Sequence, residues 1–470
     1  MTTNPFIRFL SVDSIRCQPP VPYNLITMQK TKLALARVLP VTAEVNAAGR
    51  LAVGGCDLVD LAAEFGTPLY VFDEETLRGQ CRAFLEAFRS RYPQTAVAYA
   101  AKAYLGRALA AIVAEEGMDL DIVSGGELAI ARSVSFPPER IHFHGNNKSE
   151  EELAEALDYG IARVIVDNFH EIHLLNGIAE ARNLKQRVLL RLSPGIDPHT
   201  HAYTTTGTTD NKFGVPLQTQ GEAAIRKLME APALDLAGLH VHLGSPIFER
   251  EPFAKAVDVV LEFAAQMKRD HGFEMQEFSP GGGFAVDYTL DQHAPSPEDY
   301  AETIVPAIKA ACEKHDLPEP HIFIEPGRSI VARAGVALYT VGSSKDVPGV
   351  RRYVSVDGGM ADNIRPPMYD TEYAGLVVNK PLDERRETVT VAGKYCESGD
   401  LLLKDAELPP LEPGDVLALP ASGAYNLSMA SNYNASLRPP IVLVRDGKAK
   451  VIRRRETYED LTRPDVWPLE

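Results

Sequence analysis

Residues 95–102 read TAVAYAAK, a short run of small, apolar and aromatic residues that stops on a lysine. The same texture returns at 120–124 (LDIVS), 141–146 (IHFHGN), 162–167 (ARVIVD), 187–193 (RVLLRLS), 236–242 (LAGLHVH), 275–279 (MQEFS) and 322–325 (IFIE). Each run is brief, holds β-branched or aromatic residues, and is closed by Gly, Pro, Asn or Ser, as strands are. Segments of helical period lie between most of them, for example 150–159 (EEELAEALDY) and 252–269 (PFAKAVDVVLEFAAQMKR). Eight βα units in about 250 residues are the signature of a TIM barrel, so an α/β fold with a (β/α)8 barrel over residues 72–330 is expected. The alternative, an open doubly wound sheet, more often has fewer strands and a GxGxxG after the first; none follows here.

The texture changes after residue 330. Residues 352–356 (RYVSV), 387–392 (ETVTVA), 415–419 (DVLAL) and 440–444 (PIVLV) are strand-like and are separated by turns such as LEPGD and DGK. A C-terminal β-rich domain over residues 331–470 is expected, joined by strands from residues 36–71. Residues 1–35 are read as a poorly ordered extension: MTTNPFIRF has no basic n-region, and no long apolar segment or cleavage site follows.

Bulk properties narrow the partners. The chain has 470 residues, 45% of them hydrophobic, which suits two domains with real cores. With 48 Lys plus Arg against 64 Asp plus Glu, the formal charge is −16. Such a chain is repelled by phosphodiester backbones, so nucleic acid is not expected as a partner. No run of about 18 apolar residues is present, so no membrane span is expected. Cys17, Cys56, Cys81, Cys312 and Cys396 are odd in number, scattered and without a CxxC pair, which suits a reducing cytoplasm and neither a zinc ribbon nor a disulfide framework.

Chemistry in a TIM barrel collects at the C-terminal strand ends. The first strand ends on Lys102, whose amine, if desolvated in the barrel mouth, would attack an aldehyde; the plainer reading is a lysine snorkelling at a strand end. The seventh leads into Pro280-Gly281-Gly282-Gly283, which is either a tight turn or a cradle of N–H groups for a phosphate. The eighth ends in Glu325-Pro326-Gly327-Arg328. There an acid could protonate a pyridine ring, and a guanidinium could meet a carboxylate or phosphate; a surface ion pair is the plain alternative. The sixth ends in His240-Val241-His242-Leu243-Gly244-Ser245. HxH suggests a metal, but no third ligand and no HExxH is evident, so no metal is expected, and a histidine stacked on an aromatic cofactor fits better.

Taken together these segments resemble the fold-type III pyridoxal-phosphate (PLP) decarboxylases, within them the diaminopimelate decarboxylases. The resemblance runs from about residue 57 to 461 on YAAKA, DIVSGGEL, HFHGNNKS, DNFHEI, THAYTTTG…NKFGV, HVHLGS, PGGGF, EPGRS, CESGD and SNYN in the family's order. It implies a barrel plus a C-terminal β-domain, with PLP as cofactor. Lys102 would hold PLP as a Schiff base, His242 would stack on its ring, and Glu325 would meet the ring nitrogen. Ser245, Gly282, Gly283 and the backbone of Glu325, Pro326, Gly327 and Arg328 would hold the phosphate. Arg328, Arg365 and Tyr369 would bind the substrate's distal carboxylate and Glu397 its distal ammonium, with Tyr425 near both PLP and substrate. Cys396 would protonate the carbanion from across a homodimer with shared sites. The implied reaction is decarboxylation of meso-2,6-diaminopimelate to L-lysine and CO2, the last step of lysine biosynthesis. The alternatives are a same-fold decarboxylase of lysine, ornithine, arginine or a conjugate, and a non-catalytic PLP-binding homologue; the second would have lost Lys102 or Cys396. Pro246 and Tyr104 depart from the family's usual residues.

Overall fold

The structure, a computed structural model, describes residues 33, 35–197, 206–207, 210–385 and 387–466. Most of the N-terminal extension and of the THAYTTTG segment therefore lies outside the described residues. Eight strands of a nine-stranded sheet form the barrel: β1 (Thr95–Ala100), β2 (Asp119–Ile122), β3 (Ile141–Phe143), β4 (Arg163–Val166), β5 (Gln186–Ser193), β6 (Leu234–Val241), β7 (Glu277–Gly282) and β8 (His321–Glu325), with the short Val215–Pro216 strand added beside β5. Each pairs in parallel with the next, and β8 pairs with β1, so the sheet closes into the expected barrel. Helices cross between the strands, and several start on polar caps (Ser124, Ser149, Asn168 and Ser296) that satisfy free N–H groups. At Glu150–Tyr159, Ser149 Oγ accepts from the Glu152 N–H at 3.1 Å, and the Glu152 carboxylate accepts from the Ser149 N–H at 3.1 Å. Among the described residues no helix is long and apolar enough to cross a membrane.

Alternation along each strand stacks the lumen in layers. At the bottom, Glu277 accepts from Arg163 at 2.7 and 2.8 Å and from Arg187 at 3.0 Å. Above them Ile165, Leu189 and Phe323 form a small apolar plug. At the C-terminal mouth the lumen turns polar again, with Asp121, His144, Arg191, His240, Ser279 and Glu325 all buried.

Burial pushes the Glu277 carboxyl up, but the two guanidinium groups outweigh it and hold it below the usual carboxylate range. Its contribution to stability is present above the unfolded value of about 4.3 and is lost as pH falls through the lowered folded value. Glu277→Gln should cost about 3 kcal/mol at pH 7 with the active-site mouth untouched. In urea unfolding, the gap between variant and wild type should narrow as the pH drops below about 4.

The second sheet runs in the order Leu401–Leu408, Glu387–Ala392, Arg351–Val356, Gly335–Val347, Leu69–Asp73, Ile441–Arg445, Lys448–Arg453. Val416–Leu419 also pairs with Gly335–Val347. Leu69–Asp73 is antiparallel to Gly335–Val347 and parallel to Ile441–Arg445, so a strand preceding the barrel sits at the centre of the β-rich region. A second apolar core gathers Leu33, Leu35, Val38, Leu39, Leu51 and Leu58 against Val71, Val336, Leu338 and Val442. Leu33 and Leu35, placed by the sequence in a poorly ordered extension, are buried there because they complete the apolar face of that sheet.

Candidate active site

Lys102 stands just past β1 in the short 3-10 turn Ala101–Ala103. Three contacts fix that turn. The Ala100 N–H donates to Pro326 O at 3.1 Å, the Tyr425 N–H donates to Ala103 O at 2.7 Å, and Ser428 Oγ donates to the same oxygen at 3.0 Å. A Cβ on Gly327 would lie 2.9 Å from Ala100 Cβ and 3.0 Å from Ala100 O, so only glycine lets the Glu325–Arg328 segment come this close. Tyr425 has φ +61, a strained conformation for a bulky residue of the kind that collects at functional sites. The β-rich region thus closes directly over the lysine turn. Lys102 is exposed on this turn, between the buried Ala101 and Ala103.

Lys102, His242, Ser245, Gly283, Glu325, Gly327, Arg328 and Tyr425 line one cavity. Gly282 is beside it, but its N–H donates to His242 Nδ1 at 3.1 Å and so orients the imidazole. With Nδ1 accepting, the His242 proton is on Nε2. Burial, then the charges of Lys102 and Arg191, hold this imidazole well below its usual range, which leaves it an uncharged flat ring. Pro326 lies buried behind the cavity with its carbonyl on β1. Glu325 is buried and accepts from Ser279 Oγ at 3.0 Å, with His240 Nε2 3.0 Å from its other oxygen. Burial pushes its carboxyl up, but His240 and His144 outweigh that and hold it well below the usual range. Only His240 of the HxH pair joins a possible ligand cluster: His144, His240 and Glu325 have potential ligand atoms within 4.8 Å of one another, and His242 is not among them.

Two guanidinium groups flank the same space. Arg328 donates to Ser245 Oγ at 3.2 Å and to Tyr288 Oη at 2.6 Å, and lies 4.6 Å from the Tyr425 ring centre. Arg365 donates to Tyr373 Oη at 3.1 Å and to Thr371 Oγ1 at 3.2 Å. It lies 5.2, 5.8 and 5.7 Å from the ring centres of Tyr288, Tyr369 and Tyr425. Both arginines are 5% exposed, and neither pairs with a carboxylate among the described residues. Burial pushes the Tyr288 phenol up, but Arg328 and Arg365 outweigh it and hold it below its usual range. Tyr288 and Tyr373 were missed in the sequence. Their signal was faint: Tyr288 follows the glycine segment closely, and Tyr373 trails RPPMY.

Residues 76–332 match the family model described as pyridoxal-dependent decarboxylase, pyridoxal binding domain. The chain is 45% identical over 426 residues to a diaminopimelate decarboxylase of Bacillus subtilis, covering 90% of this chain and 97% of that one. The chain belongs to the diaminopimelate decarboxylase family. Solved structures agree. The M. jannaschii family member in complex with L-lysine has a TM-score of 0.85 at 36% identity, covering 91% of this chain and 98% of that one. The Helicobacter pylori family member, also with L-lysine, has a TM-score of 0.80 at 34% identity, covering 86% and 98%.

The side chains at the barrel mouth fit the family's cofactor. A primary amine, an uncharged flat imidazole and a buried ionised carboxylate share one cavity with the Ser245 hydroxyl and the Gly283 backbone. These are complementary to an aldehyde, a ring face, a ring nitrogen and a phosphate respectively. Cys396 and Glu397 are absent from this cavity; both are exposed on the CESGD loop. That loop is held firmly. Asp400 accepts from the Met360 N–H at 2.6 Å and the Tyr395 N–H at 2.9 Å, and the Cys396 N–H donates to Asn434 Oδ1 at 3.0 Å. CESGD and SNYN thus form one rigid, outward-facing ledge.

Proposed function

We propose that this chain decarboxylates meso-2,6-diaminopimelate to L-lysine and CO2 with PLP, as the last step of lysine biosynthesis. The observation that carries the reading is the pair of buried guanidinium groups, Arg328 and Arg365, with no carboxylate partner among the described residues. An uncompensated buried charge costs several kcal/mol. A substrate with a second, distal carboxylate offsets that cost; lysine and ornithine, which lack it, do not. When bound, PLP supplies the electron sink that makes loss of an α-carboxylate feasible. The protein's own groups do the rest. Lys102 holds the cofactor, His242 packs against its ring, and Glu325 meets its nitrogen. Ser245, Gly283 and the backbone about Gly327 and Arg328 take the phosphate, with Gly282 acting through His242. Arg328, Arg365 and Tyr369 grip the distal carboxylate beside Tyr425.

The active unit is a homodimer in which each chain's Cys396 and Glu397 complete the other's cavity. Their exposure on a rigid ledge, outside their own chain's cavity, supports this. Cys396 delivers the proton to the α-carbon and Glu397 meets the distal ammonium. Cys81, Cys312 and Cys396 are free thiols, which supports a reducing, cytoplasmic setting.

Arg365→Leu tests the carboxylate reading. The expected result is a fall in kcat/KM on diaminopimelate of about 10²–10⁴-fold, the worth of a buried charge pair of about 3–5 kcal/mol, with PLP still bound. An unchanged kcat/KM would remove Arg365 from substrate recognition.

A further inference from the structure

The polar upper lumen contains groups for which the reaction above has no use. His240 Nε2 lies 3.0 Å from Glu325 Oε2, and Ser279 Oγ donates to Oε1 at 3.0 Å. His240 is completely buried. A ring nitrogen at that distance from a carboxylate carries the proton, because two facing acceptors would repel. Its Nδ1 has no hydrogen-bond partner among the described residues, so the tautomer is set by Glu325 alone. His144 packs edge-on against His240 with ring centres 5.0 Å apart, and its Nε2 stands 3.6 Å from both Glu325 and Asp121. Burial pushes His144 well below the usual imidazole range, and burial followed by the charge of Glu325 pushes the Asp121 carboxyl up.

We propose that His240, seconded by Ser279, is the positioning residue that keeps Glu325 a hydrogen-bond acceptor towards the cofactor's ring nitrogen. This rests on the reading that Glu325 meets that nitrogen. A carboxylate and a pyridine nitrogen that share one proton divide it according to relative basicity. Two donors on the carboxylate stabilise its charged form and weaken it as a base. The proton then resides on nitrogen, where it strengthens the electron sink. Without His240 the carboxylate becomes the stronger base and takes the proton. His240 also fixes the direction of Oε2 in a lumen where that oxygen has no second donor among the described residues.

The test is the ring-nitrogen chemical shift of holoenzyme reconstituted with 15N-labelled PLP, read beside steady-state kinetics. Wild type should show a protonated nitrogen. His240→Leu should move the shift towards the unprotonated position and lower kcat on diaminopimelate about 10–100-fold, with KM changed less than about threefold. His240→Gln, which keeps an N–H donor, should restore both. Ser279→Ala, which opens little space, should shift the nitrogen in the same direction by less and serves if His240→Leu does not fold. A protonated nitrogen and unchanged kcat in both His240→Leu and Ser279→Ala would overturn the proposal. So would one tightly held divalent metal per chain, since His144, His240 and Glu325 would then be its ligands. Glu325→Ala separates the two levels. If it leaves the shift at the wild-type position, the reading of Glu325 fails; if it moves the shift while His240→Leu does not, only the role of His240 fails.

Discussion

Lys102→Ala should abolish covalent attachment of the cofactor and lower turnover by roughly 10⁴-fold, about 5 kcal/mol of barrier. The size of the effect follows from position. The Lys102 turn is gripped by Pro326 from the end of β8 and by Tyr425 and Ser428 from the β-rich region. Among the described residues no other lysine lines the cavity. Lys148 cannot stand in, since its amine donates to Gly145 O, Ile165 O and Glu171 within 2.6–2.9 Å. Borohydride reduction followed by intact-mass measurement reads the attachment directly. A variant that still gains the reduced cofactor's mass would show that another amine carries it.

Cys396→Ala should keep the cofactor and lower kcat by about 10²–10⁴-fold, the usual worth of a positioned acid or base. Both variants are inactive alone, but for different reasons. If the sites are shared, a mixed dimer of Cys396→Ala with Lys102→Ala contains one site with an intact lysine and an intact cysteine. Random re-association should then recover about a quarter of wild-type activity. The ledge makes this substitution a mild one for the fold: Cys396 is exposed, and the loop is held by Asp400 and Asn434 through backbone N–H groups. Recovery of no activity from a mixture that demonstrably exchanges subunits would place Cys396 outside the partner's site.

The barrel was legible because its strands carry compact β-branched runs and its helices open on caps such as Ser149 and Ser296. Both are local signals. What the sequence hid was non-local. Leu69–Asp73 reads as a strand, but its partners Gly335–Val347 and Ile441–Arg445 lie on the far side of the barrel in sequence. β7 was expected to stop at Ser279; it continues through Gly282 because a register shift after Phe278 keeps the glycines paired with β8. In the site, residues at strand ends could be placed by the architecture alone, which is why Lys102, His242, Ser245, Glu325 and Arg328 were within reach and share a cavity. Tyr288 and Tyr373 sit in loops, and only the folded chain brings them to Arg328 and Arg365. The exposure of Lys102 depends on the turn geometry of Ala101–Ala103, which no periodicity encodes.

The most direct test of the central claim is turnover of a substrate panel by the PLP-loaded protein, with product identification by mass spectrometry. The substrates are meso-diaminopimelate, lysine, ornithine and arginine. The buried, uncompensated pair Arg328 and Arg365 predicts CO2 and L-lysine from diaminopimelate, with kcat/KM on the other three lower by about 10⁴-fold or more. Turnover of lysine, ornithine or arginine with none of diaminopimelate would contradict it.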